Sequence, residues 1–184
     1  MKIEIHNYLS CSHLLEIQSG DWDSIVILDS SLERSPFVDL HSRNTLQLVF
    51  DDITVPAASR TMPEQSQIES ALEFGLRSDK LIVCCRAGQS RSAAVAFAIV
   101  FEKQGEQKAM SILNPKRHAP NYKVLQLADA VIERPGLLNA YDKWTRDNGA
   151  IRLTDYLDEI ASQYDQLESM GARDRISEAA ADAE

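Results

Sequence analysis

Apolar residues along this chain recur with two different periods, one typical of strands and one typical of helices. Alternation over residues 2–6 and short apolar runs near residues 24–29, 45–50 and 81–85 predict four strands. Apolar positions at helical spacing predict helices over residues 8–17, 63–78, 90–104, 106–113, 122–133, 137–144 and 154–170. Strands in the first half and helices in the second indicate an α/β fold, a sheet with helices on both sides.

The transition from the fourth strand to the following helix carries the most informative residues. The apolar run Leu81-Ile82-Val83 ends in Cys84 and Cys85, and Arg91 opens a long apolar helix. A loop that feeds a helix N-terminus directs several backbone N–H groups at one point, where the helix dipole adds positive partial charge. Successive N–H groups in such a loop form an anion-binding nest. The sequence therefore predicts a phosphate-binding loop made of Arg86, Ala87, Gly88, Gln89, Ser90 and Arg91.

Cys85 is the predicted nucleophile of this loop. It lies at the end of the strand and beneath the nest, where positive partial charge stabilises a thiolate. Gly88 permits a backbone conformation that a side chain would block, and Arg91 can hold two phosphate oxygens with its planar guanidinium. A thiolate beneath a bound phosphoryl group is placed for attack on phosphorus. The alternative is that the cysteines are buried core residues, which suits Cys84 in particular.

Residues 85–91 match the Cys-x5-Arg signature of the cysteine-based protein tyrosine phosphatases. The order Ala-Gly-x-Ser-Arg-Ser over residues 87–92 resembles the dual-specificity branch of that family. Ala119-Pro120-Asn121, followed by Leu127-Ala128-Asp129, is similar to small bacterial members, and the resemblance extends over about residues 44–144. It implies a mixed central sheet flanked by helices, with the phosphate loop at its centre. It also implies hydrolysis of phosphotyrosine or related phosphate monoesters through a phosphocysteine, without metal or cofactor.

A phosphatase of this type needs an acid that protonates the leaving oxygen and later activates water. Asp51 and Asp52 follow the third strand and precede Cys85 by 34 and 33 positions, a separation that resembles the family's. We expect Asp52 to be the general acid, with Asp51 as the second candidate; the alternative is that both only cap a strand in solvent. The family's Ser or Thr assists departure of the sulfur, and Ser92 matches it. Alternatively, the Ser92 hydroxyl satisfies backbone in the first turn of the helix.

Two features depart from the family pattern. A histidine that helps to hold the loop usually precedes the cysteine, and here that residue is Cys84. An oxidative bridge between Cys84 and Cys85 is one alternative role for it. No Trp-Pro-Asp is present, so the chain does not resemble the large tyrosine-specific branch. Arg86 either suits a more highly charged substrate, such as an inositol phosphate, or pairs with a nearby acid. Arg117 and His118 either line the pocket or cap a helix.

Composition narrows the class of protein further. The chain of 184 residues is 44% apolar with a net charge of −9, which fits a soluble globular protein and disfavours nucleic-acid binding. The longest apolar run is too short to cross a bilayer, and the N-terminus lacks a signal-peptide pattern. Three cysteines, two of them adjacent, do not suggest a disulfide framework, so we expect a reducing cytoplasm. Expected partners are a phosphorylated protein or a small phosphoester, with no nucleic acid and no membrane; the oligomeric state stays open.

Charge is distributed unevenly along the chain. The segment from residue 151 onward contains nine acidic and three basic side chains, so it carries −6 and residues 1–150 carry −3. We predict a phosphatase-like domain over residues 1–150, followed by an acidic helix and a frayed tail over residues 151–184. The apolar stripe of that helix either packs on the domain or serves docking or dimerisation.

Two other functions are compatible with the same residues. The missing histidine leaves room for a non-catalytic module, in which the nest and Arg91 bind a phosphoprotein without turnover. The loop chemistry also suits a phosphoinositide or nucleotide phosphatase. A Cys85→Ser variant separates an enzyme from a binding module, and a panel of substrates separates the phosphatases from each other.

Overall fold

A computed structural model of the protein describes residues 1–32, 41–149, 151 and 153–181. Within these ranges the strands and α-helices are, in chain order, β1 (Lys2–His6), α1 (Tyr8–Ile17), β2 (Asp23–Leu28), β3 (Asn44–Val49), α2 (Gln65–Arg77), β4 (Lys80–Cys85), α3 (Arg91–Gln104), α4 (Glu106–Ser111), α5 (Tyr122–Asp129), α6 (Leu137–Asn148), α7 (Leu153–Ser169) and α8 (Arg175–Ala181). The predicted α/β class is confirmed.

The strands form one sheet in the order β1-β4-β2-β3, and every pairing among them is parallel. The sheet in the described residues is therefore parallel throughout, where the resemblance implied a mixed one. The reason is that α1 and α2 act as crossovers, returning the chain to the starting edge before β2 and β4 begin. Because parallel strands end at one edge, the residues that complete them come together there: Asn7, Asp29, Phe50 and Cys85.

The helix that follows β4 is buried along most of its length. All side chains from Arg91 to Phe101 are buried, because α3 contacts β1 and β4 as well as α2, α4 and α5. Gly105 ends the helix with a φ of 89°, and its N–H donates to the Phe101 carbonyl at 2.9 Å. Surrounded in this way, α3 presents its N-terminus to the carboxyl edge of the sheet in a fixed position.

The opposite face of the sheet is covered by α1 and by the C-terminal helices. Asn7 caps α1, since its Oδ1 accepts the Ser10 N–H at 2.8 Å. Both α7 and α8 contact α1, and Asn7 Nδ2 donates to Gln163 of α7 at 3.2 Å. Tyr156 of α7 is buried, which favours a helix packed on the domain. The division of the chain at residue 150 stays a prediction.

The segment after Gly171 differs from the predicted frayed tail. It contains α8, and Ile176 of that helix is fully buried in a cluster with Tyr8 and Trp22 beneath the sheet. Burial of this one apolar side chain offsets part of the entropy lost when a polar, alanine-rich segment is ordered. The last three residues, 182–184, lie outside the described part of the chain.

Several helices begin or end away from their predicted limits. The capping box of Glu64 and Gln67 starts α2 two residues after Pro63. The fifth helix, α5, ends at Asp129, four residues before the predicted end, whereas α6 continues past Trp144. In the ranges given above, no helix combines the length and apolar character needed to cross a membrane.

Ile176→Ala should destabilise the protein by about 2–5 kcal/mol, because it leaves a cavity in the cluster beneath the sheet. The matched control is Ile17→Ala, since Ile17 is 62% exposed at the end of α1 and its truncation should cost little. The measurement is the free energy of unfolding in urea. Equal, small losses in the two variants would mean that α8 does not pack against α1.

Candidate active site

Residues 86–90 fold back over the end of β4 before α3 begins. Gly88 has a φ of 65°, and its N–H donates to the Cys85 carbonyl at 3.2 Å. A Cβ atom at this position would lie 2.5 Å from the Asn7 nitrogen and 2.6 Å from the His6 carbonyl carbon. Both atoms belong to backbone that cannot move aside, so glycine is required here. The loop is thereby held against the end of β1.

Cys85 is the last residue of β4 and lies beneath this loop. Its side chain is buried, with only 1% of its surface exposed. The Sγ atom lies 3.1 Å from Oγ of Ser92, in the first turn of α3. Ser92 is fully buried, so its hydroxyl is held near the sulfur and away from solvent. The structure thus brings these two predicted residues into hydrogen-bonding contact.

Arg91 points inward, although it is charged, and only 4% of it is exposed. Its Nη1 donates to the Phe50 carbonyl at 2.8 Å, and its Nη2 pairs with Asp29 Oδ1 at 2.6 Å. Its Nε is buried and has no hydrogen-bond partner among the residues that the structure describes. Burial alone would lower the pKa of Arg91, but the charges of Cys85 and Asp29 raise it above its ordinary value. A permanent cation is therefore held close enough to Cys85 to interact with its charge.

The two adjacent aspartates after β3 have different surroundings. Asp51 is buried and accepts hydrogen bonds from Ser30 N, Ser30 Oγ and Thr61 N, and it also pairs with Arg60 at 3.2 Å. Burial would raise the pKa of Asp51, but these hydrogen bonds lower it below its ordinary value. A carboxylate that is fully occupied in holding two segments together is poorly suited to donate a proton to a substrate.

Asp52 points the other way, toward the phosphate loop. It is exposed, and its Oδ1 accepts hydrogen bonds from Ser90 Oγ at 2.7 Å and from Asn121 Nδ2 at 2.7 Å. Ser90 belongs to the loop itself, so Asp52 lies at the rim of the predicted phosphate site. Of the two candidates for the general acid, Asp52 is the one that contacts the predicted phosphate loop.

The remaining loop residues lie at the surface of the site. Arg86 has 73% of its side chain exposed, and its Nη1 pairs with Asp29 Oδ2 at 3.2 Å, as the nearby-acid alternative predicts. Ala87, Gln89 and Ser90 are half-buried. The carbonyls of Gln89 and Ser90 accept the N–H groups of residues 119 and 121 at 3.1 and 3.2 Å. The segment around Pro120 therefore stabilises the loop through backbone hydrogen bonds.

Asp29 is a member of the site that sequence reasoning missed. It follows β2, is only 6% exposed, and contacts both Arg91 and Arg86. One signal could have found it. Asp29 ends a buried strand in the same way as the aspartates after β3, and parallel strands end at the same edge of a sheet.

Cys84, where the family's histidine is expected, faces the opposite side of the sheet from Cys85. Its side chain packs with Cys11 in the cluster beneath the sheet, whereas Cys85 belongs to the core on the other face. Burial, followed by a hydrogen bond with Cys11, raises the pKa of the Cys84 thiol well above its ordinary value. The alternation of side chains along β4 therefore separates the two thiols that the oxidative-bridge alternative would join.

Arg117 and His118 lie in the turn before Pro120. His118 is buried, and its Nδ1 accepts the Asn114 N–H at 3.0 Å. Burial lowers the pKa of His118 to about 3, so the ring is neutral at pH 7. Within the described part of the chain, His118 Nε2 and two nitrogens of Arg117 are buried without hydrogen-bond partners. His118 thus stabilises its own turn, and both residues line a cavity of about 440 Å³ along the edge of β1.

A groove of about 530 Å³ opens beside Asp52. One wall is formed by residues 53–55 and Ala57, with Val55 67% exposed, and the other by residues 119–122. Tyr122 is also partly exposed there. The groove thus combines largely apolar walls with the Asp52 carboxylate and with Ser90 of the predicted phosphate loop.

Comparison with known proteins gives distant likenesses. No protein-family model matches the chain, and no curated protein sequence matches it. Among solved structures, the crystal structure of PTPMT1 in complex with PI(5)P is 13% identical, with a TM-score of 0.46, over 79% of this chain and 94% of that one. The crystal structure of Tk-PTP in the active form is 15% identical, with a TM-score of 0.38, over 78% of this chain and 90% of that one. At such TM-scores neither likeness carries weight for function, which must come from the geometry of the site.

Gly88→Ala should disrupt the phosphate loop, because a methyl group collides with the backbone of β1 in addition to disfavouring the positive φ. Gly136→Ala is the matched control, since Gly136 has a φ of 97° in the left-handed region and no described atom within 4 Å of its Cβ position. Both variants should lose about 1–2 kcal/mol from the positive φ. Only Gly88→Ala should lose more than that, together with phosphate binding measured by calorimetry. Equal stability and equal binding in the two variants would contradict the geometry of the loop.

Proposed function

We propose that this protein is a cysteine-dependent phosphatase that hydrolyses phosphotyrosine or related phosphate monoesters through a phosphocysteine intermediate. The observation that carries the proposal is the placement of the Cys85 sulfur beneath the N-terminus of α3, beside the buried Arg91 with its unpartnered Nε. The proposed nucleophile and the groups that would bind an anion are thus close together. Two donors of different kinds, a guanidinium and a helix N-terminus, face the charge that develops on a reacting phosphoryl group.

In the first step the Cys85 thiolate attacks phosphorus. A sulfur–phosphorus bond forms as the bond to the leaving oxygen breaks, and Asp52 gives that oxygen a proton. Arg91 and the loop N–H groups stabilise the equatorial oxygens, which carry the charge of the transition state. The position of Asp52 at the rim, 2.7 Å from Ser90 of the loop, supports its assignment as the acid.

In the second step water attacks the phosphocysteine. Asp52, now a carboxylate, takes a proton from the water, and the sulfur leaves as a thiolate while inorganic phosphate is released. The Ser92 hydroxyl, 3.1 Å from the sulfur, donates a hydrogen bond to the departing thiolate. Arginine and backbone dipoles neutralise the phosphate charge in this mechanism, so the proposed reaction uses no metal.

The groove beside Asp52 supports an aromatic leaving group. Its exposed apolar walls, with Val55 on one side and Tyr122 on the other, suit a flat ring that enters next to the phosphate loop. Phosphotyrosine, in a protein or as a small aryl phosphate, has such a ring attached to its phosphate. The groove is open to solvent on the side of these walls, which leaves room for a polypeptide substrate.

A second candidate substrate class is suggested by Arg86. Its guanidinium is mostly exposed at the mouth of the loop, where it can meet a second phosphate of an inositol phosphate or of a nucleotide. A panel of phosphotyrosine peptides, inositol phosphates and nucleotides decides between the classes. A non-catalytic phosphate-binding module is the remaining alternative, suggested by Cys84 in the position of the family's histidine.

The proposed chemistry also bears on location and partners. A thiolate nucleophile persists in a reducing compartment, so we place the enzyme in the cytoplasm, acting on a phosphorylated protein or a small phosphoester. We propose residues 1–150 as the catalytic unit, because Cys85, Arg91, Asp52 and Ser92 all lie within it. The acidic segment from residue 151 onward is then an addition to that unit.

Cys85→Ser should abolish hydrolysis of p-nitrophenyl phosphate while retaining phosphate binding, because the hydroxyl is a far weaker nucleophile than the thiolate. The matched control is Cys84→Ala, which alters the neighbouring thiol on the opposite face of the sheet and should leave turnover within about threefold. All assays contain a chelator. Turnover in Cys85→Ser equal to that of the wild type, or loss of turnover on chelation, would exclude the mechanism.

Asp52→Asn should slow phenyl phosphate hydrolysis by about 10²–10⁴-fold, because phenolate is a poor leaving group without a proton. Hydrolysis of p-nitrophenyl phosphate, whose leaving group departs as an anion more readily, should slow much less. Asp51→Asn serves as the comparison: it should lower the free energy of unfolding but slow both substrates equally. An equal effect of Asp52→Asn on both substrates would argue against Asp52 as the acid.

A further inference from the structure

Asp29 ties together the two arginines of the phosphate loop. One carboxylate oxygen pairs with Nη2 of Arg91 at 2.6 Å, and the other pairs with Nη1 of Arg86 at 3.2 Å. β2 and β4 are neighbours in the sheet, with Ile27 opposite Cys85, so Asp29 lies just beyond the level of the sulfur. A single buried carboxylate thus contacts residues at both ends of the loop.

A buried carboxylate next to a phosphate site is electrostatically unfavourable for binding a dianion. The contacts of Arg91 suggest a benefit that offsets this electrostatic cost of Asp29. Asp29 forms an ion pair with Nη2, and the Phe50 carbonyl accepts a hydrogen bond from Nη1. These two contacts, together with the covalent attachment through Nε to Cδ, fix the plane of the rigid guanidinium. Among the described residues Nε has no hydrogen-bond partner, so its N–H remains available to an oxygen of a phosphoryl group.

We propose that Asp29 is a positioning residue, which orients the Nε–H of Arg91 toward the phosphoryl group and restrains Arg86 over the loop. This role rests on the proposed function, since it concerns the same phosphate site. It differs from a role in stability alone, because it predicts weaker binding of phosphate itself. It also differs from simple electrostatics, which predicts tighter phosphate binding once the negative charge of Asp29 is removed.

The chain offers a matched control at the other end of the same strand. Asp23 begins β2, is 4% exposed, and accepts hydrogen bonds from Nε and Nη2 of Arg43. It has the same residue type, a similar burial and the same kind of partner as Asp29. It lies at the opposite edge of the sheet, away from Cys85. Asp23→Asn and Asp29→Asn should therefore lose similar stability, and only the second should affect the phosphate site.

The experiment measures the dissociation constant of inorganic phosphate by calorimetry and kcat/KM for an aryl phosphate, in wild type and both variants. Asp29→Asn should weaken phosphate binding by about tenfold or more and lower kcat/KM by about 10²-fold, as expected for a misaligned catalytic group. Asp23→Asn should leave both values within about twofold. Unchanged or tighter phosphate binding in Asp29→Asn, or an equal loss in Asp23→Asn, would overturn the proposal.

Two further comparisons cover a variant that does not fold and a wild type that is inactive. If Asp29→Asn does not fold, Asp29→Glu replaces it: the charge stays but the carboxylate moves by one methylene, and the same loss of phosphate binding is expected. If the wild type binds phosphate without hydrolysing the ester, the proposed function fails while the phosphate dissociation constants still decide the role of Asp29. If the wild type neither binds phosphate nor hydrolyses the ester, both proposals fail.

Discussion

The contact between Gly88 and the end of β1 is the constraint on which the candidate site depends. Because the loop lies against the Asn7 and His6 backbone, its path is fixed between the central strand and α3. That path places the Cys85 sulfur below the helix N-terminus and brings Ser92 to 3.1 Å from it. The buried surroundings of α3 then keep Arg91 inside, where the carboxyl edge of a parallel sheet supplies its partners.

The positive charge of this site is local, and its sign is opposite to the net charge of the whole chain. The net charge of −9 repels phosphorylated molecules at long range, so affinity has to come from a small positive region. Three aspartates near that region have different environments. Asp51 is buried and accepts several hydrogen bonds, and Asp52 is exposed and contacts Ser90 of the loop. Asp29 forms ion pairs with Arg91 and Arg86. Although the residue type is the same, the three aspartates differ in burial and in the groups that they contact.

The sequence was sufficient to predict features that depend on local spacing. The strand, loop and helix around Cys85 follow from seven consecutive residues and the apolar runs beside them, and the α/β class follows from periodicity. Features that depend on which strands become neighbours were missed or left open. The contact of Asp29 with Arg91 joins residues 62 positions apart, and the choice between Asp51 and Asp52 depends on which way each side chain turns at a strand end. Burial of Ile176 was missed because Ile176 lies in a polar, alanine-rich segment. That segment is stabilised by packing against α1, which local composition does not reveal.

The central claim is that Cys85 receives the phosphoryl group covalently. The most direct test is to mix enzyme with ³²P-labelled aryl phosphate, quench with acid within milliseconds, and map the label by peptide mass spectrometry. The account predicts a labelled peptide that carries phosphate on Cys85 and disappears as the substrate is exhausted. A label on another residue, or turnover with no labelled enzyme at any time, would contradict it.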